Sequence, residues 1–307
     1  MSGSIQNKGV VMKKIAVGLA VVFGLSVLQP AHAQVPESIV IIDTAIDSTA
    51  PQIKNNLIYE VCILESFKCP NGQFTQEGPG AATLPSPQVY SNGFEHGSIM
   101  ASIATQVNPS VKIIFIRLAG ITSKGARGSM SDTQVKKSLD WVIANKTKFN
   151  IVSVSSSLGT HQLKTGVNYC PIQATDAGLI ANIDTLIKLG VPSIFATGNN
   201  SDSARVDFPA CIPQAVAVSA VNEDLGEGYR IATWANYGPT VDFYSLGVFN
   251  TSIKRAVGTS GSAVAFSSYW AKNYKGTYQS TYDYMKSISK PTQNTLVKAT
   301  TFVDVLK

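Results

Sequence analysis

Ser38-Ile39-Val40-Ile41-Ile42-Asp43 is the stretch on which the fold turns. A short, unbroken apolar run stopped by a carboxylate suits a strand buried on both faces of a parallel sheet. The residues downstream keep the alternation that such a sheet needs. Apolar runs at 111–118, 151–155, 193–196 and 215–220 read as further strands. Between them, Ser131-Asp132-Thr133-Gln134 has capping-box spacing and leads into Val135, Leu139, Val142 and Ile143 at helical intervals. A second helix is expected over 176–189, through Ile180, Ile183, Leu186 and Ile187, with Gly190 as its stop. Small and apolar residues also continue past His96 at helical spacing, so His96 opens a buried helix. Residues 71–92, rich in Gly, Pro, Ser and Gln, read as a long surface loop. The expectation is an α/β fold of three layers, α/β/α, with a mostly parallel central sheet and right-handed crossovers.

At the other end of the argument stands the N-terminus. Met12-Lys13-Lys14, the uncharged run at 15–28 and Ala31-His32-Ala33 have the order of a secretory signal, and the run is too short for a membrane span. Translation beginning at Met12 is an even alternative to Met1. Cleavage after Ala33 would leave Gln34 as the first residue, separating a signal at 1–33 from a main domain at 34–276 and an extension of open role at 277–307. The main domain is long enough for one sizeable core. The net charge of +6 is modest and no basic face is interleaved with aromatics, so nucleic acid is not an expected partner. No membrane association is expected once the signal is gone, and the oligomeric state is not legible.

Export would take Cys62, Cys69, Cys170 and Cys211 to a compartment where disulfides persist. Four cysteines permit three pairings. Cys62 with Cys69 and Cys170 with Cys211 is the favoured one, because the first pair closes a short loop. Metal binding is the weaker reading, since there is no Cys-x-x-Cys and His32, His96 and His161 are scattered.

Several residues stand where open α/β sheets build sites. Asp43 ends a strand, although it reads equally as a turn residue. Asn199, in Ala196-Thr197-Gly198-Asn199, follows another strand and carries an amide able to donate to an oxyanion; ordinary turn chemistry is the competing account. Ser260 lies in Ala256-Val257-Gly258-Thr259-Ser260-Gly261, in the first turn of an expected helix. There, unpaired N–H groups and the positive end of the macrodipole face developing negative charge. These are needs of acyl transfer, yet Thr259 or Ser260 could simply cap the helix. Only His96 and His161 survive signal removal as candidate bases.

Taken in order, Asp43, His96, Asn199 and Ser260 resemble the subtilisin-like serine peptidases, the subtilases. Ile41-Ile42-Asp43-Thr44 with Asp47 is similar to the family's aspartate motif, Glu95-His96-Gly97-Ser98 to its histidine motif, and Gly258-Thr259-Ser260 to its nucleophile motif. Phe208-Pro209-Ala210, the run at 215–221 and Asn236-Tyr237-Gly238 extend the likeness. The resemblance implies a subtilisin-like fold and an exported serine endopeptidase acting on polypeptides. In it Ser260 attacks, His96 shuttles the proton, Asp43 orients His96, and the Asn199 amide with the Ser260 N–H binds the oxyanion. It further implies that Ser157, Leu158 and Gly159 pair with an extended substrate as an added strand.

The chain also departs from the family. Ala45 stands where a glycine is usual, Ile99 where a second histidine often follows, Gly261 in place of a methionine and Val264 in place of a proline. A left-handed turn at Ala45 would cost about 1 kcal/mol, and the helix behind Ser260 is expected to pack differently or less rigidly. These changes motivate the alternative of a catalytically weak or inactive subtilase-like peptide-binding protein; an esterase using the same residues is a third reading. The four residues between the expected cleavage site and the first strand leave no room for an inhibitory pro-segment. No cofactor motif is evident, and without an Asp-x-Asp-x-Asp-Gly loop structural calcium is not readable.

Overall fold

A computed structural model describes Met1, Gly3 and residues 36–160, 170–172, 176–222, 229–291 and 302–306. The expected signal, His161, and parts of the loop after 159 and of the C-terminal tail lie outside the described residues. Residues 35–307 cluster as one compact unit.

The central sheet grows from β1 (Ser38–Asp43), buried along its whole length. On one side it pairs in parallel with β4 (Lys112–Arg117), which pairs in parallel with β2 (Leu57–Ile63). On the other side follow β5 (Ile151–Ser156), β6 (Ser193–Ala196), β7 (Val216–Val221) and β8 (Phe243–Leu246), all parallel. A short antiparallel strand, β3 (Thr75–Glu77), completes the edge beside β2. The strand order β3-β2-β4-β1-β5-β6-β7-β8 therefore reverses direction at β1. The carboxyl end of such a strand opens into a crevice, because the connections on either side leave in opposite directions.

Side-chain alternation along β1 assigns the two faces. Ile39 and Ile41 join α1 (Glu95–Val107) and α4 (Thr259–Lys272) in one core, whereas Val40 and Ile42 join α2 (Asp132–Asn145) and α3 (Ala177–Lys188) in the other. Ser131 caps α2 with the reciprocal box, its hydroxyl accepting from Gln134 N–H while the Gln134 carboxamide accepts from Ser131 N–H. α3 ends at Gly190, which takes φ +84°. α4 is buried on all sides from Gly261 to Ala271. Its internal hydroxyls are satisfied by neighbours: Ser262 donates to Leu246 O, Ser268 to Ala104 O, and Ser267 bonds Ser153.

The loop expected over 71–92 is more ordered than its composition suggests. It carries β3 and a single 3₁₀ turn, Gln88–Tyr90, because β2 offers an edge for pairing and Glu60 gathers the N–H groups of Gly80, Ala82 and Thr83 on its carboxylate. β2 itself escapes the sequence reading. Beyond β8, a hairpin of β9 (Val248–Asn250) and β10 (Arg255–Val257) leads into α4, and α5 (Tyr278–Ile288) follows it. Phe302 bridges to Tyr244 of β8 and to Lys290, so residues 302–305 return to the sheet edge; Phe302, Val303 and Val305 are buried in the α1–α4 core. The structure pairs Cys62 with Cys69 and Cys170 with Cys211.

Candidate active site

The carboxyl end of β1 places Asp43 beside the first turn of α1. Thr44 fixes that approach: its hydroxyl donates to Phe94 O at 2.8 Å and accepts from Gly97 N–H at 3.0 Å. Gly97 makes it sterically possible, since a Cβ there would overlap the Ala45 carbonyl and the Phe115 ring. Ala45 itself is fully buried against Phe94, Leu84, Val89 and Ala119. It takes no positive φ, which corrects the expected strain; among the described residues the positive-φ positions without glycine are Asn92, Asn150 and Ser201.

His96 Nδ1 lies 2.8 Å and 2.9 Å from the two carboxylate oxygens of Asp43. Asp43 is 3% exposed and receives the Thr44 N–H at 2.7 Å. Burial would raise the Asp43 pKa, but the facing His96 charge, the hydrogen bond from its ring and the bonds from Thr44 hold it below the usual carboxylate range. Burial likewise disfavours a charged His96, yet the Asp43 charge and hydrogen bond carry its pKa above the ordinary imidazole value. Glu95 adds to that rise and Arg127 opposes it. With its proton held on Nδ1 by Asp43, a neutral His96 presents Nε2 as a base.

Ser260 is the second residue of α4, half-buried. Neither it nor Thr259 caps the helix: the N-cap is Gly258, at φ +154°, a conformation that favours glycine. Thr259 instead ties the first turn of α4 to the Asn199 loop. Its N–H donates to Asn199 Oδ1 at 2.9 Å and its hydroxyl lies 3.1 Å from the same oxygen, while Gly198 N–H reaches that hydroxyl at 3.1 Å. A backbone N–H can only donate, so Asn199 Oδ1 faces Thr259 and its Nδ2 is left to point elsewhere. The loop is held from below by Asn236, which is fully buried. Asn236 Nδ2 donates to Thr197 O at 3.0 Å and its Oδ1 accepts from Asn200 N–H at 2.8 Å.

His96, Asn199 and Ser260 line one cleft of about 430 Å³, with Met100, Val257 and Gly258 among its walls. The structure thus brings together four sequence-derived positions from three separate elements and a loop. Ser157, Leu158 and Gly159 follow β5 and are not among the residues lining that cleft. Ser157 and Leu158 are half-buried and Gly159 exposed, and the segment is anchored by the paired backbone bonds of Thr160 and Phe208. His161, the other candidate base, lies outside the described residues. Among the described residues no cluster of three His, Cys, Asp or Glu side chains is arranged to hold a metal ion. Sequence reasoning gave no role to Thr44, and Thr259 only a capping one; their proximity to Asp43 and Ser260 in the chain was the available signal. For Asn236, its place in Asn236-Tyr237-Gly238 was the only one.

Of the two outcomes expected behind Ser260, different or less rigid packing, the structure shows neighbours drawn in against Gly261. A Cβ at Gly261 would meet Phe249 at 3.2 Å and Ile103 at 3.4 Å, so those side chains occupy the space, and Val264 is 1% exposed.

Comparison with known proteins bears on the family and the fold. A model of the subtilase family matches residues 37–295. The chain is 28% identical over 173 residues to alkaline elastase YaB of Bacillus sp. (strain YaB), a match covering 55% of this chain and 40% of that protein. It is 27% identical over 184 residues to a cuticle-degrading serine protease of Arthrobotrys oligospora, covering 57% and 39%. The chain therefore spans about two fifths of the length of these curated relatives. Among solved structures, a cold adapted subtilisin-like serine proteinase superposes with TM-score 0.61 at 18% identity, over 88% of this chain and 89% of that one. A protease of Pseudoalteromonas arctica does so with TM-score 0.63 at 16% identity, over 88% of each.

Proposed function

This chain belongs to the subtilase family, and from that premise we propose that it is an exported serine endopeptidase that hydrolyses polypeptides through Asp43, His96 and Ser260. The observation carrying this reading is the His96 Nδ1 contact with Asp43 at 2.8 Å, together with the cleft that His96 shares with Ser260 and Asn199. In the reaction, Ser260 Oγ attacks the peptide carbonyl as His96 Nε2 takes its proton. The resulting imidazolium stands against the Asp43 carboxylate, and the proton then passes to the leaving amine. The Asn199 Nδ2 and the Ser260 backbone N–H bind the oxyanion, a contribution for which loss of one donor costs about 2.7–4 kcal/mol. Ser157 to Gly159 hold the acyl side of the substrate as an added strand. Two disulfides, and no described helix long and apolar enough to cross a membrane, are compatible with export through the leader at 1–33.

Active-site labelling tests the reading. A fluorophosphonate should modify Ser260, as located by mass spectrometry, and unfolded casein should be cleaved by the wild-type protein and not by Ser260→Ala. Peptide capture without cleavage or labelling would replace it with a binding role. Asn199→Ala should lower kcat by about 10²–10³-fold with little change in KM.

A further inference from the structure

The first turn of α1 is held from two sides. On the sheet side, Thr44 and Asp43 grip Phe94 O, Gly97 N–H and the His96 ring. On the opposite side, Lys254 Nζ donates to Glu95 Oε1 at 2.7 Å. Glu95 immediately precedes His96, and Lys254 immediately precedes β10, the strand that runs through Gly258 into Ser260. The Lys254 backbone is itself pinned: Thr251 Oγ1 donates to Lys254 O at 2.7 Å and accepts from its N–H at 3.2 Å. Lys254 also stands between two clefts, that of Ser260 and a neighbouring one of about 770 Å³ bordered by Asp47, Tyr90 and Glu95.

Resting on the reading of Ser260 as nucleophile and His96 as its base, we propose that Glu95 and Lys254 are positioning residues for this reaction. Their ion pair braces the helix carrying the base against the hairpin delivering the nucleophile, and it neutralises a carboxylate next to the imidazole. Three charged groups bear on His96 from the elements around it, Asp43 on β1, Glu95 on α1 and Arg127 on the loop after β4, while Lys254 and Arg255 of the hairpin line the same cleft. Asp43 sets the proton on Nδ1. Glu95 would raise the affinity of the ring for a proton further, and Lys254 offsets that charge. Lys254 is 55% exposed, so losing its side chain should cost little folding stability, whereas Glu95 is 18% exposed and Glu95→Gln keeps its shape in that half-buried place; melting temperatures are measured on every variant.

The test follows the ring directly. Histidine ring signals are titrated by NMR in the wild-type protein and in Lys254→Met, Lys254→Arg and Glu95→Gln, with His96 assigned through a His161→Gln variant, and fluorophosphonate labelling rates are measured on the same samples above the titration. Lys254→Met should raise the pH at which His96 titrates by about half a unit and Glu95→Gln should lower it by a similar amount. Both should slow labelling by a factor on the order of ten, since a small displacement of base from nucleophile is costly. Lys254→Arg should restore both readings. The proposal is overturned by an unmoved His96 titration in Lys254→Met and Glu95→Gln, or by labelling rates equal to wild type. It is equally overturned by melting temperatures that fall with neither reading changed, or by Lys254→Arg behaving like Lys254→Met. The titration reads the ring whether or not Ser260 reacts. An unlabelled wild-type protein therefore counts against the nucleophile, and an unmoved titration counts against the brace.

Discussion

Replacing Asp43 by Asn keeps the shape of the site and changes what the imidazole can do. The Thr44 N–H, 2.7 Å from Oδ1, requires an acceptor, so the new amide oxygen takes that position. The NH₂ group then occupies the place of Oδ2, 2.9 Å from His96 Nδ1. Nδ1 then meets this donor beside the amide oxygen 2.8 Å away, and accepting from the NH₂ group avoids setting two donors face to face, so the ring proton should move to Nε2, where it would block abstraction from Ser260. The loss of the opposite charge also lowers the His96 pKa, since the Asp43 charge is the main influence raising it. Two effects follow in the pH profile of kcat/KM for a peptide amide. On the proposed reading activity needs neutral His96, and because burial is outweighed by Asp43 its pKa is raised, so the acid limb should lie above the ordinary imidazole value. In Asp43→Asn the limb should move to lower pH, while the plateau falls by about 10⁴-fold, the loss associated with the wrong tautomer in Ser-His-Asp enzymes. Stability shifts in step. The Asp43 contribution is complete above the ordinary carboxylate pKa and is lost as pH falls through its lowered value; that of His96 is complete below the ordinary imidazole pKa and is lost as pH rises through its raised value. The difference in Tm between wild type and Asp43→Asn should therefore be largest at roughly pH 4–6.5. An unmoved acid limb, or a plateau within tenfold of wild type, refutes this account of the pair.

Gly97→Ala forces the Ala45 carbonyl and Phe115 away from α1; overpacking of this kind costs about 1–3 kcal/mol, and both Tm and the labelling rate of Ser260 should fall. An unchanged Tm would show that β1 and α1 yield freely there. Replacing Cys170 and Cys211 by Ser opens a link between residues 41 apart in sequence and should lower unfolding stability by about 4 kcal/mol in urea titration, against about 2 kcal/mol for Cys62 and Cys69, 7 apart. Equal effects of the two would contradict the loop-entropy argument. Deleting 302–307 removes Phe302, Val303 and Val305, all at most 1% exposed, and uncovers Tyr244 on β8. A loss on the order of 5 kcal/mol is expected, and a truncated protein with wild-type Tm would show that the tail is dispensable to the core.

The parts legible in the sequence were those whose signal is local. An apolar run ended by Asp43 reads as a buried strand because both its faces are covered. The capping box at Ser131 and the stop at Gly190 read as written because helix ends are decided within a turn. β2 was not legible, since Glu60 interrupts its apolar run and its burial is uneven, with Ile58 exposed, Leu57 and Tyr59 half-buried and the last four residues buried. The order within 71–92 was hidden for a different reason: it comes from an acceptor, Glu60, outside the segment. The same distinction separates the site residues. Asp43, His96, Asn199 and Ser260 announce themselves through small residues and strand ends around them. Asn236 and Lys254 act across 36 and 159 residues of chain, and no local pattern records such a partnership.

The departures from the family acquire a physical meaning once the packing around them is known. A glycine behind a nucleophile would loosen a helix whose neighbours did not adjust, because an unfilled volume forfeits dispersion on every wall. Here the neighbours reach in: Phe249 of β9 and Ile103 of α1 approach Gly261 so closely that even a Cβ would sit at 3.2 Å and 3.4 Å. Those two side chains come from the hairpin that leads into Ser260 and from the helix that carries His96. The small residue therefore lets side chains of the His96 helix and of the hairpin before Ser260 both pack against Gly261, next to Ser260. Lys254 and Glu95 bridge the same two elements at its rim. Volume that a larger side chain after the serine would fill from within α4 is filled in this chain from outside it. Losing Phe249 should consequently disturb Ser260 more than its distance along the sequence suggests.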